Sequence, residues 1–272
     1  MSSKKHLFTY TLLILIITSC ATNPVTGKKT LALVGNDKIL PSAFKQYDTF
    51  LKENKVINGT IDAKRVETIG MNIKNAAELW LKAKGALSSL KGYEWEYNLI
   101  DDTSVNAWCM PGGKIVFYTG IIPICNSDDG IATVMGHEVA HALANHGQQR
   151  MSAGMLQKYG AAGLQLATLN KNNQTQQTAM TAYGVTTQYA GMLPFSRKHE
   201  SEADMIGLTI MAIAGYNPYE AIAFWERMAA NSGKIQPEFM STHPSNATRI
   251  ANIKKLIPKV IAEAANFGVT FK

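Results

Sequence analysis

The chain is 272 residues long, which leaves room for one large domain or two small ones around a sizeable core. With 46% hydrophobic and 17% charged residues it is not an intrinsically disordered chain. Its formal charge is +7, yet no Lys/Arg block with interleaved aromatics stands out, so no nucleic-acid partner is expected.

Lys4 and Lys5 precede an apolar run from Leu7 to Ile17 that ends at Thr18-Ser19-Cys20. A basic start, a short apolar stretch and small residues before a cleavage point predict a signal peptide over residues 1–19, too short to span a membrane comfortably. Ile17-Thr18-Ser19-Cys20 resembles the lipobox of bacterial lipoproteins, which implies lipidation of Cys20 and attachment to a membrane. Ala21 in the next position implies, by known lipoprotein sorting, the outer membrane with the protein facing the periplasm. Cys109 and Cys125 would then lie in an oxidising compartment, either as a disulfide or as two free thiols.

Residues 20–37 contain Pro24 and Gly27 and little periodicity, and read as a lipidated tether. Apolar residues recur at helical spacing from Pro41 to Val56 and from Ile61 to Lys84, predicting two helices. Trp95 to Ile100 alternates like a strand, and Asn106–Met110 and Lys114–Thr119 flank the turn Pro111-Gly112-Gly113. A small sheet is therefore expected. Ser127-Asp128-Asp129 predicts the capped start of a helix that Gly147 would stop. Residues 150–192, rich in Ala, Gly, Met, Gln and Thr, read as two helical pieces joined by a polar linker, either a lid or a passive insertion. Ser196 is expected to cap another helix ending near Gly215, and a last helix follows Pro244.

The chemistry concentrates in His137-Glu138-Val139-Ala140-His141. On a helix, positions i and i+4 share a face, so both histidines can reach one Zn²⁺. Glu138 lies about 100° round the helix, near the metal but off its axis, placed to take a proton from water. A catalytic zinc needs a third protein ligand. His146 is about 140° away from His141 on a continuing helix and should not join the set. Ala144 and Gly147 break the metzincin pattern. His199 and His243 remain, as does Glu200-Ser201-Glu202-Ala203-Asp204. Glu200 and Asp204 share a predicted helix face, so one can bind zinc while the other hydrogen-bonds a ligand histidine.

These residues, with Ser196-Arg197-x-x-Glu200-x-x-Ala203-Asp204 some sixty residues after the histidines, resemble the family-48 zinc metallopeptidases, which are gluzincins. Asn23-Pro24-Val25-Thr26-Gly27, Asn106-Ala107-Trp108, Pro111-Gly112-Gly113 and Thr242-His243-Pro244 before a helix with Arg249 extend the likeness over most of the chain. The chain lacks the transmembrane helices of some branches, so it looks like the soluble bacterial lipoprotein branch. It also ends without the helical repeats that one branch carries after its protease domain, so recruitment of partners by such repeats is not carried over.

The resemblance implies an α+β fold class: a mostly helical zincin-like metallopeptidase domain over residues 38–272, with a small β-sheet beside the H-E-x-x-H helix. It implies one Zn²⁺ per chain on His137, His141 and Glu200, Glu138 as general base and then acid, and Asp204 orienting a ligand histidine. His243 would lie near the metal, either donating to the oxyanion or occupying the open zinc position in a resting state. His146 and His199 are expected to be structural or to support the ligands, and Arg197 to be a surface charge or a partner of a site carboxylate. The strand Lys114, Ile115, Val116, Phe117, Tyr118 and Thr119 is the expected edge on which an extended substrate pairs. The expected function is a zinc endopeptidase that cleaves unfolded or misfolded envelope proteins for quality control. The alternatives are a chaperone or assembly factor working with the outer-membrane assembly machinery, and a hydrolase of cell-wall peptides.

Overall fold

A computed structural model describes residues 20–231, 238–243 and 247–271, without the side chains of Cys20 and Glu238. The expected signal peptide, the thiol of Cys20 and Pro244 lie outside the described residues.

Strands β1 (Cys20–Thr22) and β2 (Lys29–Leu31) form an antiparallel hairpin. Helix α1 (Asn36–Glu53), strand β3 (Val56–Ile57) and helix α2 (Ile61–Ala83) follow. Strands β4 (Glu96–Ile100), β5 (Ala107–Met110) and β6 (Lys114–Tyr118) join β3 in a sheet of order β3-β4-β6-β5, in which only β4 and β6 run parallel. The remainder is helical: α3 (Ile122–Cys125), α4 (Asp128–Leu143), α5 (His146–Ala167), α6 (Asn173–Thr186), a π turn (Thr187–Met192), α7 (Leu193–Ile213), α8 (Glu220–Asn231), α9 (Glu238–Thr242) and α10 (Ala247–Ala265). No helix among the described residues is long and apolar enough to cross a membrane.

Helix α4 is the axis of the core. The Ser127 hydroxyl accepts from the Gly130 amide at 3.0 Å, and Asp128 and Asp129 sit at the positive end of the dipole. From Gly130 to Leu143 every residue is buried, as expected of a helix that is small or apolar on nearly all sides. Around it pack Ile69, Ile73 and Leu81 of α2, Phe117 of β6, Ile206 and Ile210 of α7, Phe224 and Trp225 of α8, and Ile257 of α10. The tightest approach is α4 on α7, where Gly136 faces Gly207. A Cβ at Gly207 would come within 2.8 Å of Gly136 C and His137 N, so only hydrogen at both positions allows this crossing.

Four expectations are corrected. Lys114, Ile115, Val116, Phe117 and Tyr118 do not form an edge: β6 is paired on both sides, with β4 and β5, so its amides and carbonyls are occupied. The turn at Pro111-Gly112-Gly113 folds β5 onto the outer side of β6, which makes Ala107–Met110 the edge strand at that end of the sheet. Residues 20–34 do not hang free as a tether. Asn23 and Val25 are buried, the Asn23 amide donates to Ala144 O at 3.2 Å, and the Leu33 amide donates to the Ser152 hydroxyl at 3.0 Å. Ser196 caps nothing, because the helix runs without a break from Asn173 to Ile213. Helix α4 ends at Leu143 rather than at Gly147; Asn145 takes the left-handed conformation (φ 55°) that reverses the chain, and Gly147 lies in the first turn of α5.

The glycine crossing gives a paired expectation. Gly207→Ala should lower stability by about 1–3 kcal/mol, because backbone must move to admit the methyl. Gly163→Ala, in α5 with open space around it, should be neutral or stabilising by about 0.5–1 kcal/mol. Denaturant unfolding of both variants in chelator, against wild type, checks the contrast.

Candidate metal centre

Burial of α4 takes His137, Glu138 and His141 into the core, where each needs a partner. Helix α7 supplies two of them. Glu200 and Asp204, one turn apart on its buried face, lie opposite the histidines because the glycine crossing sits one turn further along. His243, at the end of α9, and Arg249, in the first turn of α10, close the other side.

One ligand atom each from His137, His141, Glu200 and His243 can be chosen so that all lie within 4.8 Å of one another. His137 Nε2 is 3.1 Å from both His141 Nε2 and His243 Nδ1, and 3.3 Å from Glu200 Oε2. His141 Nε2 is 3.4 Å from Glu200 Oε1, and His243 Nδ1 is 2.9 Å from Glu200 Oε2. Ligands about 2.0–2.1 Å from a tetrahedral zinc stand about 3.3–3.4 Å apart, so this spacing fits one ion. Hydrogen bonds alone account for it poorly. Three imidazole nitrogens converge on one point, and Glu200 Oε1 is buried without a hydrogen-bond partner. Imidazole nitrogen with carboxylate oxygen is also a donor set suited to Zn²⁺.

Around this set each group has a support. Asp204 Oδ1 lies 3.0 Å from His137 Nδ1, within reach to orient that ring. Arg249 grips Asp204 with two hydrogen bonds, Nε to Oδ2 at 2.9 Å and Nη2 to Oδ1 at 2.5 Å, and its guanidinium carbon stands 3.7 Å from the centroid of the Trp225 ring. The resemblance pointed to the arginine-bearing helix but not to this grip. Trp225 went unsuspected, since nothing local marks it. Arg197 is exposed, and among the described residues it forms no ion pair with a site carboxylate.

His146 reaches the site by a route that helix geometry alone does not reveal. The break at Asn145 swings it back, so that its Nδ1 is 2.9 Å from His141 Nδ1 and its Nε2 is 3.0 Å from Glu202 Oε2. Glu202 also accepts from the Asn23 amide at 3.3 Å and meets Lys28 at 3.4 Å. His199 stacks on His146, ring centroids 4.1 Å apart, and its Nε2 lies 3.1 Å from Gln149 Oε1. Both histidines support the ligand shell from outside it. Cys109 and Cys125 are free thiols, and burial raises the pKa of both, to about 12 for Cys125.

Environment sorts the carboxyl groups into different roles. Burial raises the pKa of Glu138, whose Oε1 has no hydrogen-bond partner and sits 3.4 Å from His243 Nε2. Burial acts on Glu200 in the same sense, but hydrogen bonds from His137 and His243 outweigh it and hold Glu200 well below the usual carboxylate range. Asp204 is likewise lowered against its burial, by Arg249 and His137. Desolvation opposes charge on His137, yet its bonds to Asp204 and Glu200 win and push its pKa up to about 9. His141, buried without such bonds, is held well below its ordinary value and stays neutral, the form a metal ligand needs.

Residues 71–257 match the model of Peptidase family M48. The mitochondrial metalloendopeptidase OMA1 of Saccharomyces cerevisiae is 38% identical over 203 residues, covering 72% of this chain and 56% of that protein. The human mitochondrial metalloendopeptidase OMA1 is 24% identical over 88% of this chain and 46% of its own length. The beta-barrel assembly-enhancing protease of Escherichia coli K12 is 27% identical over 64% of this chain and 37% of its own length. The chain thus spans about half the length of relatives such as the yeast protein.

Glu202 touches no member of the donor set, which makes it a clean probe of support through His146. Glu202→Gln should weaken zinc binding by about 10–100-fold in chelator competition, with secondary structure unchanged. Unaltered affinity would remove the His146–Glu202 pair from the site.

Proposed function

This chain belongs to Peptidase family M48, and from that premise we propose that it is a zinc-dependent endopeptidase of the cell envelope acting on unfolded or misassembled proteins. The observation that carries the reading is the meeting of His137, His141 and Glu200 beside Glu138, on a helix packed against the edge strand β5.

Zinc held by His137, His141 and Glu200 would supply a Lewis acid for the scissile carbonyl and lower the pKa of water. Glu138 handles the proton. Its raised pKa and unpartnered Oε1 suit it to accept a proton from the attacking water and return it to the leaving amine. Asp204, held by Arg249, fixes the His137 ring. His243 joins the donor cluster, Nδ1 toward Glu200 and Nε2 toward Glu138, which supports a resting arrangement in which it would occupy the open zinc position. Of its two expected roles this geometry favours the resting one.

Strand β5 packs beside α4, and its outer edge is the natural partner for an extended peptide. Beyond Met110 and Pro111 the edge leads to an apolar cavity of about 500 Å³, lined also by Ile39, Ala43 and Met151. Backbone pairing reads extension more than sequence, and an apolar cavity accepts side chains that folded proteins bury. Both features suit unfolded substrates. The envelope location rests on the lipobox at Cys20. A second reading, an assembly factor with a gated site, draws on the same position of His243.

Glu138→Gln should keep zinc and lose at least about 100-fold in cleavage of a denatured envelope protein, read by mass spectrometry of the products with and without chelator. Wild-type cleavage by that variant would overturn the mechanism, and equal rescue of envelope stress by both forms would favour the assembly role. His243→Ala should raise the turnover of short peptides if the residue holds the site closed. A fall of about 100-fold would assign it to the oxyanion instead.

A further inference from the structure

Between Glu138 and Glu200 the chain contains no aspartate or glutamate, while Arg150, Lys158, Lys171, Arg197 and Lys198 are all present. Most of that stretch forms a two-helix arm. Helix α5 has 22 residues, about 33 Å of rise, and α6 returns along it. The helices touch through Gly160, against which Tyr183 packs; the Tyr183 hydroxyl donates to Gln157 O at 3.0 Å, and the Gln157 amide donates to Thr187 at 2.9 Å. No residue from 153 to 198 is buried. A helix pair with so little core is poorly stabilised by its own packing.

Its outer surface is apolar in an ordered way. Met151, Tyr159 and Leu166 fall within about 80° of one another on the α5 helical wheel, and Leu169 is exposed in the turn just beyond its end. Leu166 is 69% exposed and Tyr159 65%. On the returning helix Val185 and Tyr189, four residues apart, are exposed as well. Lys158 flanks the α5 stripe and Lys171 lies at the tip, both exposed.

We propose that this arm lies in the headgroup region of an anionic lipid bilayer, making a membrane contact separate from any lipid on Cys20. An apolar stripe whose only neighbouring charges are cations matches a surface that offers acyl chains beneath negative headgroups. A second copy of the chain offers a poorer match, since two arms would bring together like charges with no carboxylate between them. The helices are too polar to cross the bilayer, which fits a surface-lying arm. The inference does not depend on the peptidase reading. It would set the metal centre near the membrane, because α6 continues through the π turn into the helix that carries Glu200.

The test is hydrogen exchange of the full chain with vesicles, read on peptides from residues 155–190 so that attachment through the N-terminus does not interfere. Vesicles of phosphatidylcholine with phosphatidylglycerol should slow exchange in the arm by about fivefold or more, and vesicles of phosphatidylcholine alone should not. Lys158→Glu with Lys171→Glu should abolish that protection while exchange in residues 128–143 stays as in wild type. Absence of protection on both vesicles overturns the proposal. Equal protection on both, or by soluble polyglutamate, overturns it too, by removing either the charge or the lipid. Protection without vesicles that grows with protein concentration assigns the face to a second copy and overturns it likewise.

Discussion

Two glycines on crossing helices set the geometry on which everything else rests. Gly136 directly precedes His137, and Gly207 follows Asp204 by three residues, so the close backbone contact of the two helices is also the point from which the site is measured. With a methyl group at either position the helices would part by a few tenths of an ångström or more, and the imidazoles of one would leave the carboxylates of the other. Close packing is rigid, so such a shift would not be absorbed locally. The precision of the donor set is therefore a property of the helix crossing rather than of the ligands.

That crossing brings three carboxyl groups, an arginine and three histidines out of water at once, which is unfavourable unless each is paired. The pairing is uneven, and the unevenness has chemical meaning. Asp204 has two bonds from Arg249 and a contact with His137, and Glu200 is held by histidines, so both remain ionised. Glu138 has neither and is pushed toward its neutral form. Identical or near-identical side chains, placed in different surroundings, differ in proton affinity in the way the proposed roles of ligand, orienting group and proton carrier require.

The sequence made the local half of this legible. His137, Glu138 and His141 were readable because helical periodicity alone puts them on neighbouring faces, and the same rule paired Glu200 with Asp204. Joining the two helices into one site needed the family likeness, since spacing cannot show which helices cross. The misreadings have a common cause. Lys114–Tyr118 looked like an edge because strand order is not written in a strand's own residues; the return of β5 along its outer side fills its bonds. Ser196 looked like a cap because serine is a favoured residue at a helix start, whereas the π turn carries the helix through. Residues 20–34 looked like a tether because their anchor, Asn23 to Ala144 and Glu202, spans more than a hundred residues of sequence. His146 was rightly kept off the ligand face, but the turn at Asn145 that makes it the neighbour of His141 has no periodic signature.

Both ligand helices are tied to elements outside the sealed core. The His141 side runs through His146 and Glu202 to Asn23 and Lys28 of the N-terminal hairpin. The Glu200 side runs through α7 and the π turn into the exposed arm, whose other helix begins at His146 itself. The hairpin and the arm meet where Leu33 donates to Ser152 and where Phe195, Lys198 and Gln149 line a cavity against Thr26, Lys28 and Leu31. Whatever holds these two peripheral pieces in place therefore also bears on the outer faces of His141 and Glu200. A π turn, with its widened backbone, sits in the continuous helix that joins arm to ligand, at the point where a small rotation would be felt about two turns later by Glu200. The metal centre is rigid where glycine meets glycine and adjustable where the chain leaves the core, so its ligand geometry is set from inside and biased from the surface.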